Sequence, residues 1–400
     1  MMDVTNPKRD IQLAKTTHPA VPRFGRIVRR ENDFRSLSGN ERDLVREIRR
    51  NPSVSRAELA RRTGLALPTV SRLVDQLIRD GLLVAEDKVM MSRTGQPSLP
   101  LSLAPHAAYA FGVAVRADAV TVALVHLSGR IVATRDAPAA GASRDGIVSL
   151  IAASIDRLAD DSGVPSDRVC GLGMALPGFF VDDPVRINAP LGMEDWATAD
   201  LEQDLSRVLG LPVIAENDGS AAALGEYLYG HGNTHPTFAY LYVDRGLGGG
   251  LVIDGKLLRG RRGNAGEFTG LLPPEARKDR PTLTGLKDLL ETDGVLFESL
   301  GDMLNWVDPE APAVSIWVER SVAATDAIIS AIGAIMDPDA IVVGGRIPKR
   351  IAERLVARLG FFSVPVRGRD RTFPELLVSN VVGDAAALGA GALCFNSLFV

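Results

Sequence analysis

Cysteine is almost absent from this sequence, since Cys170 and Cys394 are the only two in 400 residues. Two cysteines cannot form the disulfide framework that staples small secreted proteins, and each is predicted to be buried as a small apolar side chain. Long apolar runs are absent as well, because no stretch approaches the roughly 18 residues of a membrane-spanning helix. The first residues include Pro7, Lys8 and Arg9, where a signal peptide would need an apolar segment. We therefore expect a cytoplasmic protein without a membrane partner.

Net charge is also low, but its distribution is uneven. The formal charge is −4, yet residues 1–100 contain 19 Lys and Arg against 12 Asp and Glu, and the remainder contains 26 against 37. A basic N-terminal part on an acidic body is typical of a nucleic-acid-binding head attached to a body with another role. A length of 400 residues, 46% of them hydrophobic, predicts two or three domains.

The segment 52–84 has the pattern of a helix-turn-helix. Ser55 and Glu58 have the spacing of a capping box, so a helix is predicted to begin there and to end near Gly64. Pro68 suits the first position of a second helix, which continues to about Asp80. In the second helix, apolar residues recur at helical spacing and are predicted to face a core. These apolar residues are Val70, Leu73, Val74 and Leu77.

The polar face of the second helix predicts DNA binding. A recognition helix places its N-terminal residues on base edges, so Thr69 and Arg72 are the strongest candidates for base readout, and arginines of the preceding helix suit phosphates. The predicted DNA-contacting residues are Arg56, Arg61, Arg62, Thr69, Ser71, Arg72, Gln76, Arg93 and Gln96. The alternative is a three-helix bundle whose outer face is merely polar. Ala66 occupies the position where such motifs usually have a capping serine.

Segments on either side complete a winged-helix domain at 38–104. Strands are predicted at 82–85 and 99–103 around a loop that contains Arg93 and Gln96; this loop is either a wing or a flexible turn. Asn40 is predicted to cap a first helix that packs under the helix-turn-helix. Residues 1–37 are predicted to be a flexible basic arm, which either adds phosphate contacts or is an uncommitted tail.

From residue 109 onward the pattern changes to strands. A unit of strand, loop, strand, turn and strand begins at Tyr109 and returns at Phe238, and each copy is followed by helical sequence, at 145–160 and 314–336. The repeat predicts a duplicated α/β body with mixed sheets and one ligand cleft between two lobes.

Polar residues at strand ends mark the candidate cleft. Asn217 and Asp218 follow a short buried strand and open a helix, a position where α/β folds place ligands, although Asp218 could equally be a helix cap. Gly344 and Gly345 follow an apolar strand, and their turn either admits a phosphate or is a tight packing turn.

Four segments, 56–83, 211–226, 246–267 and 337–345, give the chain a resemblance to the ROK family, named for repressors, open reading frames and kinases. The likeness covers nearly everything from about residue 40 onward and is nearest to the winged-helix sugar repressors. It implies an actin-like or hexokinase-like (ribonuclease H-like) two-lobed domain at 105–400, with lobe 1 at about 105–216 plus 380–400 and lobe 2 at about 217–379. It also implies a sugar between the lobes and a homodimer or higher homo-oligomer.

The resemblance assigns ligand roles by position. Asn217 and Asp218 match a pair that binds sugar hydroxyls, in which the aspartate is the catalytic base of the kinases. Glu267 matches a further sugar-binding glutamate, Gly178 lies in a loop that lines the sugar, and Asn188 matches another sugar contact. These five residues are the predicted ligand site.

Departures from the family pattern predict a regulator and not an enzyme. Arg116 and Asp118 lie where the kinases have a glycine-rich phosphate loop, and Asp244 and Arg245 replace a Gly-Thr pair in the second phosphate loop. Phosphoryl transfer depends on positioning and charge compensation, so ATP and Mg²⁺ are not expected. The family's zinc ligands, one histidine and three cysteines after Glu267, are missing, and no zinc is expected.

The sequence thus predicts a transcriptional repressor that binds operator DNA and senses a sugar or sugar derivative. The alternatives are an ATP-dependent sugar kinase fused to a winged helix and a regulator whose cleft is vestigial.

Overall fold

The computed structural model of the protein describes residues 37–86, 99–181, 186–197, 201–292 and 294–399. The α-helices are α1 (Gly39–Arg50), α2 (Arg56–Thr63), α3 (Leu67–Arg79), α4 (Arg144–Ser162), α5 (Leu201–Leu209), α6 (Asp218–Tyr229), α7 (Leu283–Thr292), α8 (Leu300–Trp306), α9 (Pro312–Ile335), α10 (Lys349–Val356) and α11 (Ala385–Phe399). The strands are β1 (Leu83–Ala85), β2 (Leu101–Leu103), β3 (Tyr109–Val115), β4 (Ala119–His126), β5 (Ile131–Pro138), β6 (Val169–Leu176), β7 (Phe179–Val181), β8 (Arg186–Asn188), β9 (Val213–Asn217), β10 (Phe238–Val243), β11 (Leu247–Ile253), β12 (Lys256–Leu257), β13 (Ala340–Gly345) and β14 (Glu375–Val378).

Helices α1 to α3 and the hairpin β1–β2 form the predicted winged helix. The two strands pair antiparallel, with Leu83 opposite Leu103. The predicted cap of α1 is wrong, because Asn40 lies inside the helix and Ser38 caps it. Ser38 and Glu41 form a reciprocal capping box, which satisfies two backbone N–H groups and so outcompetes a cap at Asn40.

Helix α2 begins and ends where the sequence predicts. The Ser55 hydroxyl accepts the Glu58 N–H at 3.1 Å, and Gly64 closes the helix with φ of +71°. Only this half of the predicted capping box forms, because the Glu58 carboxylate pairs with Arg61 and Arg62. Helix α3 starts after Ala66 without a side-chain cap.

Two sheets with the same strand order form the body. Their orders are β5-β4-β3-β6-β9 and β12-β11-β10-β13-β14. In each sheet the first three strands are an antiparallel meander, and the two later strands add in parallel. The predicted duplication is therefore confirmed. We call the first sheet with its helices the first lobe and the second sheet with its helices the second lobe.

Helices α11 and α6 fill the space between the sheets. Glycines bring their backbones close: a Cβ on Gly112 or Gly173 of the first sheet would overlap a carbonyl of α11. In the same way, a Cβ on Gly389 of α11 would overlap the Ala221 carbonyl of α6, and one on Gly250 would lie 2.7 Å from the Ala223 Cβ. The two lobes thus share one tightly packed pair of helices.

The few cysteines behave largely as expected. Cys394 is buried in α11, and burial raises the pKa of its thiol to about 12. Cys170, near the start of strand β6, is only half-buried, so the prediction that it is buried is wrong for this residue. Among the described residues, no helix has both the length and the apolar character needed to cross a membrane.

Candidate DNA-binding surface and ligand cleft

Helix α3 divides its two faces as predicted. Its apolar residues Val70, Leu73, Val74 and Leu77 are buried, so the opposite side of the helix faces outward. Arg72 is exposed and has no hydrogen bond or ion pair with the part of the chain that the structure describes. Thr69 and Ser71 are half-buried on either side of it. The Arg72 guanidinium is therefore free to meet a base edge or a phosphate.

The other predicted cations already have carboxylate partners. Arg61 and Arg62 are exposed and pair with Glu58. Arg62 Nε lies 2.8 Å from the Glu58 carboxylate. Exposed pairs of this kind contribute about 0–1 kcal/mol, so both arginines can exchange a carboxylate for a phosphate at small cost. Arg56 is different, because its 2.6 Å bond to Asp75 ties α2 to α3.

Three further predicted DNA contacts have separate outcomes. The Gln76 amide is half-buried and donates to Asp80 at 2.8 Å while its oxygen accepts from Arg79 at 2.7 Å, so it is occupied within α3. Arg93 and Gln96 lie outside the described residues, as does the predicted arm apart from Leu37.

Asn217 ends strand β9 and caps helix α6. Its Oδ1 accepts the Ser220 N–H at 3.0 Å, and its Nδ2 donates to the Gly178 carbonyl at 2.6 Å. The cap alternative considered for Asp218 therefore applies to Asn217. Because both polar atoms of Asn217 are used, this amide holds the Gly178 loop in place.

The structure brings Gly178 and Asn188 together beside Asn217. Gly178 has φ of +123°, and a Cβ there would overlap the Asn188 carbonyl, so glycine is needed at this position. Asn188 pairs with Phe179 in the hairpin β7–β8 and is exposed. Its side chain is therefore accessible at the edge of the Gly178 loop.

Asn264 is a positioning residue that the sequence analysis missed. Its Oδ1 accepts the Phe180 N–H at 2.7 Å, and its Nδ2 donates to the Phe180 carbonyl at 2.8 Å. This pair of bonds fastens strand β7 to the glycine-rich loop that leads to Glu267. The only sequence signal was its place three residues before Glu267, which does not indicate a partner.

Asp218 is the first residue of α6 and is half-buried. Burial and the nearby Asp244 carboxylate raise its pKa to about 7, and Glu267 adds a smaller repulsion. The Gly219 N–H, which donates at 2.8 Å, and Arg116 act in the opposite direction. Desolvation also raises the pKa of Glu267. Asp218 and Glu267 are thus two interacting carboxyl groups of the candidate site, and such groups can accept from or donate to hydroxyl groups.

Charged side chains that form ion pairs with one another occupy the two positions where the kinases have phosphate loops. Arg346 lies between two carboxylates, with Nη1 3.2 Å from Asp118 and 3.3 Å from Asp244. Arg116 contacts Asp384, and its Nε lies 3.9 Å from Asp244. We call these five residues the charge cluster. They come from segments far apart in the chain, which is why sequence analysis missed Arg346 and Asp384.

Electrostatic compensation in the charge cluster is uneven. Burial alone would raise the pKa of Asp118, but Arg346 and the Gly301 N–H hold it below its ordinary value. Burial raises the pKa of Asp244 in spite of Arg346 and Arg116. Asp244 is therefore less well stabilised as a carboxylate than Asp118.

The predicted turn at Gly344 and Gly345 is wrong, because these glycines are the last two residues of strand β13. The Gly345 N–H donates to the Tyr240 hydroxyl at 3.0 Å, and a Cβ on Gly344 would overlap the same hydroxyl. The structure thus supports tight packing at these two glycines, because an N–H that is already bonded is not free for a phosphate.

Comparison with known proteins agrees with both halves of the chain. The model of the ROK family matches residues 110–278, and a model described as winged helix-turn-helix DNA-binding matches residues 37–84. The chain is 33% identical over 370 residues to the uncharacterized protein y4fQ of Sinorhizobium fredii, covering 91% of this chain and 92% of that protein. It is 28% identical over 233 residues to the xylose repressor of Bacillus subtilis, covering 57% of this chain and 59% of that protein.

Solved structures show the same fold. A ROK family transcriptional regulator, a homologue of the E. coli MLC protein, superposes with a TM-score of 0.65 at 20% identity, covering 90% of this chain and 96% of that one. A ROK family glucokinase from Streptomyces griseus, in complex with glucose and AMPPNP, superposes with a TM-score of 0.57 at 22% identity, covering 72% of this chain and 99% of that one. The fold is thus shared by a regulator and a kinase. This chain belongs to the ROK family and has a winged helix-turn-helix DNA-binding domain ahead of the family's two-lobed body.

Proposed function

We propose that the protein is a DNA-binding transcriptional repressor that responds to a sugar or sugar derivative bound between its lobes. The observation that carries this proposal is the winged helix formed by α1 to α3 with strands β1 and β2, with Arg72 exposed on the outer face of α3, packed on a ROK body. The similarity to a protein named as a xylose repressor supports the same function.

The ligand site of this proposal consists of Asp218, Glu267 and Asn188, with Asn217 and Gly178 shaping its wall. Two carboxyl groups and an amide can accept and donate hydrogen bonds to neighbouring hydroxyl groups, which is the chemistry of sugar recognition. Asn217 contributes mainly by fixing the Gly178 loop, since its cap bond and its bond to Gly178 use both polar atoms.

The charge cluster argues against phosphoryl transfer. Transfer from ATP needs donors and cations arranged around the phosphates, whereas Asp118 and Asp244 place carboxylates at both phosphate turns. Their arginine partners, Arg346 and Arg116, are already taken up in ion pairs. We therefore propose a protein without ATP or Mg²⁺ and without kinase activity.

A kinase function remains the second candidate because Asp218 is retained with a pKa of about 7, suitable for a general base. Its test is release of ADP in the presence of D-glucose or D-xylose. Turnover that depends on the sugar and disappears in Asp218→Asn would replace the repressor proposal by a kinase.

Operator recognition is proposed to involve a homodimer on a palindromic site. Two winged helices read half-sites of fixed spacing, so a ligand that changes the lobe arrangement weakens binding by misplacing one winged helix relative to the other. Each mismatched base pair costs about 1–3 kcal/mol, so a small misplacement is sufficient for release.

The deciding experiment is fluorescence anisotropy with DNA from upstream of its own gene, at fixed salt, with and without a panel of sugars. A sugar that shifts the affinity about tenfold, equivalent to about 1.4 kcal/mol of coupling, identifies the effector. Tight DNA binding that no sugar changes would show that the cleft is vestigial.

Two arginine variants test the proposed surface. Arg72→Ala is expected to weaken binding and relax sequence preference, because its free guanidinium is placed for base readout. Arg62→Ala is expected to weaken all sequences alike and to reduce the salt slope by about one, as for a phosphate contact. If neither variant changes binding, α3 is not the recognition helix.

A further inference from the structure

We propose that the winged helix is anchored to both lobes at once, so that the angle between the lobes sets the direction of α3. This inference rests on the proposed function and identifies the residues through which the cleft acts on DNA binding.

The first anchor joins α1 to the part of α6 that meets the edge of the second sheet. Arg50, the last residue of α1, donates to the Tyr227 hydroxyl, and its guanidinium lies 5.9 Å from the centre of the Tyr227 ring. Tyr227 is close to the C-terminal end of α6. A charged donor that also lies over an aromatic face is a stronger contact than an ordinary surface hydrogen bond.

The turn between β11 and β12 meets the same hydroxyl. A Cβ on Gly255 would overlap the Tyr227 hydroxyl and would lie 3.1 Å from Arg50 Nη2. Gly255 has φ of +77°, and its N–H donates to the Pro236 carbonyl at 2.8 Å, which fixes the turn. Helix α1, helix α6 and the edge of the second sheet therefore meet at Tyr227.

The second anchor joins α3 to the first lobe. Arg168, directly before β6, donates through Nη1 to the Asp80 carbonyl at 3.1 Å, and Asp80 is the C-cap of α3. Gly81 has φ of +71°, and a Cβ there would lie 2.7 Å from Arg168 Nη2. Glycine at this position thus gives the guanidinium access to the end of the recognition helix.

Buried side chains make these anchors act on a rigid unit. Leu44, Val45 and Ile48 of α1 belong to the same apolar cluster as alanines of α6 and α11. Asp218 and Tyr227 lie nine residues apart on α6, about 13 Å at the rise of an α-helix. A ligand that moves Asp218 therefore moves the anchor at the other end of the same helix.

Relative motion of the lobes cannot preserve both anchors without turning the winged helix. One anchor moves with the first sheet and the other with the second, and they hold α3 and α1 of one packed domain. A change in lobe angle at the cleft is thus converted into rotation of α3.

The test compares two anchor variants with matched controls by hydrogen–deuterium exchange of the full chain. Tyr227→Phe removes the hydroxyl that Arg50 uses, and Tyr229→Phe is its control, since among the described residues the Tyr229 hydroxyl has no hydrogen-bond partner. Arg168→Met removes the other anchor, and its control is Arg157→Met, whose side chain is 65% exposed.

Each anchor variant is expected to speed exchange about tenfold at its own contact, at 48–51 for Tyr227→Phe and at 79–82 for Arg168→Met, while the controls match the wild type. The double variant is expected to lose at least threefold in affinity for DNA from upstream of its own gene. Exchange and DNA affinity equal to those of the controls would overturn the inference.

A ligand arm separates this inference from the proposed function. D-xylose and D-glucose are added to the wild type and the double variant, and binding is read from the rise in melting temperature. A sugar that stabilises both proteins but shifts DNA affinity only in the wild type supports the anchors. An equal shift in both proteins overturns them while sugar sensing stands. If neither sugar stabilises the wild type, sensing of these sugars fails, and the exchange comparison decides the anchors.

Discussion

Replacing Arg346 by methionine removes the cation that two buried carboxylates share. The Arg346 side chain is 14% exposed, and its partners Asp118 and Asp244 are 7% and 11% exposed. Breaking one partner out of a buried ion pair costs about 3–5 kcal/mol, because an uncompensated charge remains in the interior. Asp118 keeps the Gly301 N–H at 3.2 Å and Asp244 keeps Arg116 at 3.9 Å. We therefore expect a loss near the lower limit, about 3 kcal/mol.

The pH dependence of this loss has a definite sign. In the wild type, burial would raise the pKa of Asp118, but Arg346 outweighs burial and the folded-state pKa is lowered. The contribution of Asp118 to stability is therefore present at neutral pH and disappears as pH falls through the folded pKa. The pKa of Asp244 is already raised by burial. In the variant both carboxyl groups take up protons at higher pH. The penalty of Arg346→Met is thus largest near pH 7 and shrinks toward pH 4.

Urea unfolding of Arg346→Met and wild type at pH 7 and pH 4.5 measures both quantities. Arg350→Met is the control, because Arg350 is 75% exposed and its pair with Glu353 contributes little. A loss for Arg346→Met no larger than that of the control, or a loss that does not shrink at the lower pH, would refute the assignment of Arg346 as the counter-charge of the cluster.

Substitutions at two further residues, Asp218 and Asn217, test the candidate cleft. Asp218→Asn is expected to stabilise the fold by up to about 4 kcal/mol at pH 8, because a folded pKa of about 7 against an ordinary 3.8 means that the charged carboxylate opposes folding. Unfolding free energies measured from pH 4 to 8 should show that this gain in stability grows with pH and levels off above about pH 7. A gain that is independent of pH would contradict the raised pKa. Asn217→Ala is expected to cost about 2 kcal/mol, since it removes the cap of α6 and the bond to Gly178. Asn217→Asp keeps the side-chain oxygen that caps α6 and loses the amide that donates to Gly178, so its stability in urea unfolding should lie between those of the wild type and Asn217→Ala. Equal stability of the wild type and both variants would contradict the capping role.

Much of the winged helix could be predicted from local sequence. The cap at Ser55, the end of α2 at Gly64 and the buried face of α3 each depend on residues within one or two helical turns, so they leave a readable pattern. The duplicated meander was predictable for the same reason, because apolar strands separated by turns, such as the turn at Asp254-Gly255, are local signals. Even here competition between neighbours was misjudged, since Ser38 rather than Asn40 caps α1.

Local sequence marked Asn217 and Asp218 as candidate ligand residues, and the family resemblance added Gly178, Asn188 and Glu267, but neither indicated which interactions each residue makes. The strand end at Asn217 and Asp218 was recognisable, yet only the folded chain decides that Asn217 caps α6 and holds Gly178 while Asp218 remains a half-buried acid. The two interpretations of Gly344 were separated by a hydroxyl 104 residues earlier, at Tyr240.

The charge cluster and the two anchors were decided by tertiary structure alone. Arg116 meets Asp384, and Arg50 meets Tyr227, across separations that no periodic pattern records. Sequence by itself determined which short segments form helices, turns and strands, because those choices depend on neighbouring residues. Which charges are compensated, and which residues join the winged helix to the body, depended on packing between distant segments and could be read only from the folded protein.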